Sequence, residues 1–134
     1  MDVRYKTLEK QIFQLNEDEK FYRDYYEAGH SSRGLQAFLS GVDKEDAIRR
    51  HLVIPELLPE IISYEMSDEE YFKEGEQRNV YISRHNRYTP TFLHRHNFFE
   101  IVFVYHGTCT QNIGTTRKHF SEGDVIFIAP GIYH

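Results

Sequence analysis

Two different patterns in one 134-residue chain predict an α+β fold, with a helical N-terminal segment followed by a sandwich or small barrel of short strands. Apolar residues first recur at three, four and seven positions, which is one face of an amphipathic helix. From Asn79 onward β-branched and aromatic residues dominate, with glycines at hairpin spacing. The charge divides in the same way. Residues 1–75 hold 10 Lys/Arg against 17 Asp/Glu, a balance of −7, whereas residues 76–134 hold 6 against 4, a balance of +2.

In the first part, Tyr5, Leu8, Ile12, Leu15, Tyr22 and Tyr26 form the apolar stripe of one helix, and Glu17, Asp18 and Glu19 read as a solvated patch between them. Gly29 to Gly34 is a break. A second helical piece is expected over Leu35 to Leu39. A third starts at Asp43, a suitable N-cap, and runs through Ala47, Ile48, His51 and Leu52. Pro55 and Pro59 punctuate the next stretch, where Leu57, Leu58, Ile61 and Ile62 are apolar enough to pack. Ser67 to Glu70 has the form of a capping box, with Gly75 ending that short helix.

In the second part, Val80–Ile82 is a strand candidate, Arg87–Pro90 a connection, and Thr91–Tyr105 a strand-rich stretch. Gly107, Gly114 and Gly123–Asp124 mark turns, and Val125–Ile128 is another strand. Residues two apart on a strand share a face. His94, His96, Phe98, Glu100, Val102 and Val104 are therefore expected on one side, and Arg95, Asn97, Phe99, Ile101, Phe103 and Tyr105 on the other. A strand apolar on both sides needs cover on both.

Composition excludes several classes. A net charge of −5 argues against this polypeptide itself gripping a phosphate backbone. The single cysteine, Cys109, excludes an intrachain disulfide and suits a reducing compartment. No apolar run approaches the ~20 residues of a membrane span, and the acidic N-terminus is no signal peptide. The chain therefore reads as cytoplasmic, without a membrane partner.

The chemistry concentrates in His94-Arg95-His96-Asn97-Phe98-Phe99-Glu100 followed by Gly107, a pattern H-x-H-x3-E-x6-G, and in Gly123 to His134. Together they supply three imidazoles and one carboxylate. Such donors suit a divalent transition metal such as Zn, Fe, Mn, Ni or Cu. The same groups can instead form a hydrogen-bonded cluster at the mouth of a small-molecule pocket. Arg95, Asn97, Tyr105 and His106 read as surface or interface positions, and Cys109 as a small packed residue.

These two stretches resemble the two motifs of the cupin superfamily, small β-barrels of the jelly-roll type. The first matches at His94, His96, Glu100 and Gly107. The second matches at Gly123, Gly131 and His134, with Ala129 where the family usually has proline. Within cupins, HRHNFFEIVFVYHG and FSEGDVIFIAPGIYH resemble the N-terminal sensing domain of AraC-type bacterial transcription regulators, over about residues 79–134. The resemblance implies a barrel that binds a small-molecule effector or mediates homodimerisation. It also implies DNA contact only through a separate C-terminal domain with two helix-turn-helix motifs. A cupin barrel needs more strands than come after the second motif. The chain is accordingly read as a helical extension, 1–75, and the first part of a cupin-like effector-binding barrel, 76–134, incomplete at the C-terminus. The expected function is effector sensing and dimerisation in such a regulator, with His94, His96, Glu100 and His134 as the ligand-binding or metal-binding set. The alternative is a metal-dependent cupin enzyme, a dioxygenase or isomerase, using the same four residues.

Overall fold

The structure, a computed structural model, describes residues 3–62, 65–72, 74–75 and 77–134. The side chains of residues 3–5, Ile61 and Glu70 lie outside that description, so Tyr5, Ile61 and the Glu70 half of the expected capping box are not placed. Helices α1 (Val3–Phe13), α2 (Glu17–Ala28), α3 (Ser32–Ser40) and α4 (Lys44–Arg49) come first. Strands β1 (Glu65–Met66), β2 (Arg95–His96), β3 (Glu100–Phe103), β4 (Thr108–Ile113), β5 (Thr116–Ser121) and β6 (Val125–Ile128) come after them. The contacts divide the chain into two compact units, Met1–Ile62 with Ile82–Thr91, and Ser63–Tyr81 with Phe92–His134.

In the first unit the stripe expected to form one helix is cut in two. Asn16 starts α2 with a reciprocal cap: its side chain accepts from the Glu19 amide at 2.8 Å, and the Glu19 carboxylate accepts from the Asn16 amide at 2.9 Å. That satisfies two orphan donors at once and makes a fresh helix start preferable to continuation. The expected break at Gly29–Gly34 is shorter than the sequence suggests. Ser31 caps α3 by accepting from the Gly34 amide at 3.0 Å, which places Gly34 inside the first turn. A Cβ on Gly34 would lie 2.9 Å from the Ala28 carbonyl oxygen, so α3 can come this closely after α2 only with glycine there. Asp43 caps α4 as expected, accepting from the Glu45 and Asp46 amides. The helix closes with His51 at φ 54°, where the His51 amide donates to Ile48 O and the Leu52 amide to Ala47 O. This is a Schellman ending with histidine in the position glycine normally takes.

The core of this unit is Tyr22, Tyr25, Ala47, Leu52, Ile54 and Leu58, with Phe21, Leu35, Phe38, Leu39, Val42 and Leu57 packed around it. Leu52, Ile54 and Leu58 are essentially fully buried, each contributing on the order of 2 kcal/mol by removal from water. The Tyr22 hydroxyl accepts from the Val53 amide at 2.8 Å, and the Tyr25 hydroxyl donates to Glu56. Glu19 corrects the sequence reading: it is completely buried, not solvated. Its carboxylate pairs with Arg84 at 2.6 Å and Arg87 at 3.0 Å, and the Arg87 amide also donates to it at 3.0 Å. Val80–Ile82 is irregular and exposed, not a strand.

The second unit contains three two-stranded ladders: β1–β2 parallel, β3–β6 antiparallel and β4–β5 antiparallel. No closed barrel forms among the described residues. Gly114 opens the two-residue β4–β5 loop with φ 58°, the positive value a type II′ turn needs at that position. The expected long strand over Thr91–Tyr105 is interrupted between His96 and Glu100, yet burial still alternates beyond the gap. Val104, Ile126 and Ile128 are buried, whereas Phe99, Ile101, Phe103, Tyr105 and Phe127 are exposed. Ile101 pairs with Phe127 and Phe103 with Val125, so the outward face of β3–β6 is a continuous apolar surface.

Candidate functional site: a two-histidine, one-carboxylate cluster

The last residues of the chain run beside β2 without forming a regular strand. His94 and His134 exchange both backbone hydrogen bonds, at 3.0 and 2.9 Å, and the Gly131 amide donates to His96 O at 2.8 Å. On the other side the Gly114 amide donates to Tyr133 O at 2.8 Å. His134 thus arrives opposite His94 from a separate segment. Side chains alternate in this arrangement: Arg95 lies over the Tyr133 ring, 4.9 Å from its centroid, while the three imidazoles gather together.

His96, Glu100 and His134 each bring one ligand atom within 4.8 Å of the others. Nε2 of His96 is 2.9 Å from Glu100 Oε2, and Nε2 of His134 is 3.0 Å from the same oxygen. His94, the fourth residue of the expected set, lies beside this trio and not in it. Its ring centroid is 4.2 Å from that of His134 and 6.4 Å from that of His96. His96 is buried, and Glu100 is about one-third exposed.

The other ring nitrogens have one feature in common. Nδ1 of His94 contacts Phe92 O at 3.3 Å, Nδ1 of His96 contacts Phe98 O at 2.7 Å, and Nδ1 of His134 contacts Ile132 O at 3.1 Å. A carbonyl oxygen can only accept, so each Nδ1 is the protonated nitrogen. In a neutral ring the Nε2 lone pair is then free, which is how a carbonyl accepting from Nδ1 orients a metal-binding histidine.

The electrostatics arise from this crowding. Glu100 is held down at about 2 by His134 beside it, against the upward push of burial, with His96 adding to the effect. His134 is raised from its ordinary value by Glu100, with burial opposing. His94 is lowered, mainly by burial. Proximity and hydrogen bonding differ at one atom. His134 Nε2 lies close to Oε2 but off the hydrogen-bonding direction, leaving a buried nitrogen without a hydrogen-bond partner. A cation at the centre would satisfy that nitrogen. The donor set therefore fits a divalent transition metal, with His96, Glu100 and His134 as the three residues placed to hold it.

The sequence places Phe98 on the face of His96 and Glu100 but does not reveal what it touches, and it assigns Tyr71 no role. The Phe98 ring stacks on the His96 imidazole at 4.2 Å and 11°, and Tyr71 meets Phe98 edge-on at 5.3 Å. Asn97 reads as a surface or interface position and is exposed, and its side chain exchanges hydrogen bonds with Asp68. The signal is faint: Asp68 reads as the start of a helical turn, and only the fold shows that its partner comes from 29 residues away.

Residues 79–134 match the family model for the AraC-like ligand binding domain. Neither the curated proteins nor the solved structures contain a significant match to the chain.

Proposed function

We propose that this chain senses a small effector through the cluster of His96, Glu100 and His134, with His94 at its edge, a reading supported by the match of residues 79–134 to the AraC-like ligand binding domain. The observation that carries the proposal is the convergence of two buried imidazole nitrogens on one carboxylate oxygen, with every Nδ1 tied to a backbone carbonyl. In this reading the effector is a divalent metal or a small molecule held through one. A bound metal would supply Lewis acidity and positions for further ligands. The protein's residues supply preorganised donors, a carboxylate ionised across the physiological range, and burial that favours the neutral form of His94. The chain works as part of a cytoplasmic homodimer, and DNA contact belongs to a helix-turn-helix domain attached to it. An effector then shifts the arrangement of those domains only by its differential affinity for the two states. Among the described residues no helix is long and apolar enough to cross a membrane.

Two imidazoles and one carboxylate are also the donor set of non-haem iron oxygenases, which keeps a metal-dependent enzyme as the second reading. Metal-dependent turnover would distinguish it.

Elemental analysis of protein purified without chelators tests the site. Near-stoichiometric metal is expected, lost in His96→Ala and in His134→Ala, and weakened but retained in His94→Ala. Absence of metal after supplementation with Fe, Mn, Ni and Zn would overturn the metal site and leave an organic effector. Affinity is also expected to depend on pH. His134 holds its proton to higher pH than a free histidine, and a cation must displace it. Binding should therefore strengthen as pH rises from 6 to 8, measurable by titration with a chromophoric chelator as competitor.

A further inference from the structure

We propose that residues 65–72, which lie outside the matched segment, position the His96 imidazole for ligand binding, with the Asp68–Asn97 pair as the clamp. The inference rests on the metal-site reading for its consequence, though not for its geometry. β1 pairs in parallel with β2, setting Met66 against His96. The Asn97 amide donates to Met66 O at 3.3 Å. The Asp68 amide donates to Asn97 Oδ1 at 2.8 Å, and Asn97 Nδ2 donates back to Asp68 Oδ1 at 2.8 Å. Three hydrogen bonds thus fix the one residue between His96 and Phe98.

Phe98 in turn holds His96 twice. Its carbonyl accepts from Nδ1 at 2.7 Å, which selects the tautomer, and its ring stacks on the imidazole, which fixes the plane. Tyr71, from the same 65–72 segment, packs edge-on against Phe98 and anchors its hydroxyl on Met66 Sδ at 3.6 Å. If Asn97 is released, the Phe98 carbonyl leaves Nδ1, and His96 loses the constraint that aims Nε2 at Glu100. Asp68, Asn97, Phe98 and Tyr71 are positioning residues, since none is among the three that converge on the site.

The test is Asn97→Asp, which sets two carboxylates face to face, against the swap Asn97→Asp/Asp68→Asn, which restores one donor and one acceptor. The full chain is titrated with Co2+ and followed by its d–d absorption. The metal-free chain is examined by 15N–1H correlation of the His96 ring. Asn97→Asp is expected to weaken Co2+ binding by about 10- to 100-fold and to shift the d–d band, while the swap recovers affinity to within about threefold. In metal-free protein the His96 ring protons should be shifted upfield by Phe98, with Nδ1 protonated. Asn97→Asp should lose both signatures and the swap restore them. Unchanged ring signals in Asn97→Asp, or their absence from the wild type, would overturn the proposal. Failure of the wild type to take up Co2+ would remove the metal reading alone, and the ring signals would still decide the positioning role.

Discussion

Removing the Glu19 carboxylate would leave Arg84 and Arg87 directed at a buried space with no counter-charge. Taking one partner from a buried ion pair is costly, so Glu19→Gln is expected to destabilise the helical unit by about 3 kcal/mol at neutral pH. The pH dependence has a definite sign. Burial raises Glu19, but the hydrogen bonds from Arg87 outweigh it with help from Asn16 and Arg84, leaving it at about 2 against an ordinary 4.5. A depressed carboxylate contributes stability above its unfolded value and loses it as pH falls toward its folded one. The gap between wild type and Glu19→Gln in urea unfolding should therefore be widest near pH 7 and narrow from about pH 4.5 to about pH 2. Sequence alone does not reveal this role. Glu17, Asp18 and Glu19 are alike as acidic first-turn residues, and the arginines that bury Glu19 lie 65 and 68 residues away.

At the scale of elements, local chemistry is the most legible. Asp43 reads as a cap and is one, because capping depends on a side chain and the amides two and three residues on. The Asn16–Glu19 box carries the same kind of signature, and the apolar stripe running through it hides the helix break. Gly34 reads as punctuation but is a contact residue. Gly34→Ala should gain some helix propensity yet force the added methyl against the Ala28 carbonyl and Ser31 Oγ, both 2.9 Å away. The net effect expected in thermal melts followed by circular dichroism is a loss of about 1–2 kcal/mol, the usual range for overpacking. The strand candidate at Val80–Ile82 fails for the opposite reason. Three β-prone residues have no ladder partner there, and β propensity means little without one.

Across the whole molecule, the parity of the second half can be read from sequence and the pairing cannot. Alternation correctly puts Glu100, Val102 and Val104 on one face and Ile101, Phe103 and Tyr105 on the other. Whether His94 stands in the site or beside it depends on how residues 131–134 run along β2, which no local pattern encodes. The exposed apolar face of β3–β6 is the kind of surface that associates or binds hydrophobic dyes. Phe127→Lys with Ile101→Glu, an adjacent cross-strand pair, should reduce binding of an anilinonaphthalene dye without altering metal uptake.

The backbone pair of His94 with His134 joins two residues 40 positions apart in the sequence. The complete donor set is assembled only in the folded chain, so whatever occupies it binds the folded state in preference to the unfolded one. Occupancy must then appear as heat resistance: at 100 times its dissociation constant a ligand adds about 2.7 kcal/mol to the stability of the unit that holds it. A melting curve recorded against a panel of candidate ions or metabolites would therefore serve as an assay for the natural signal.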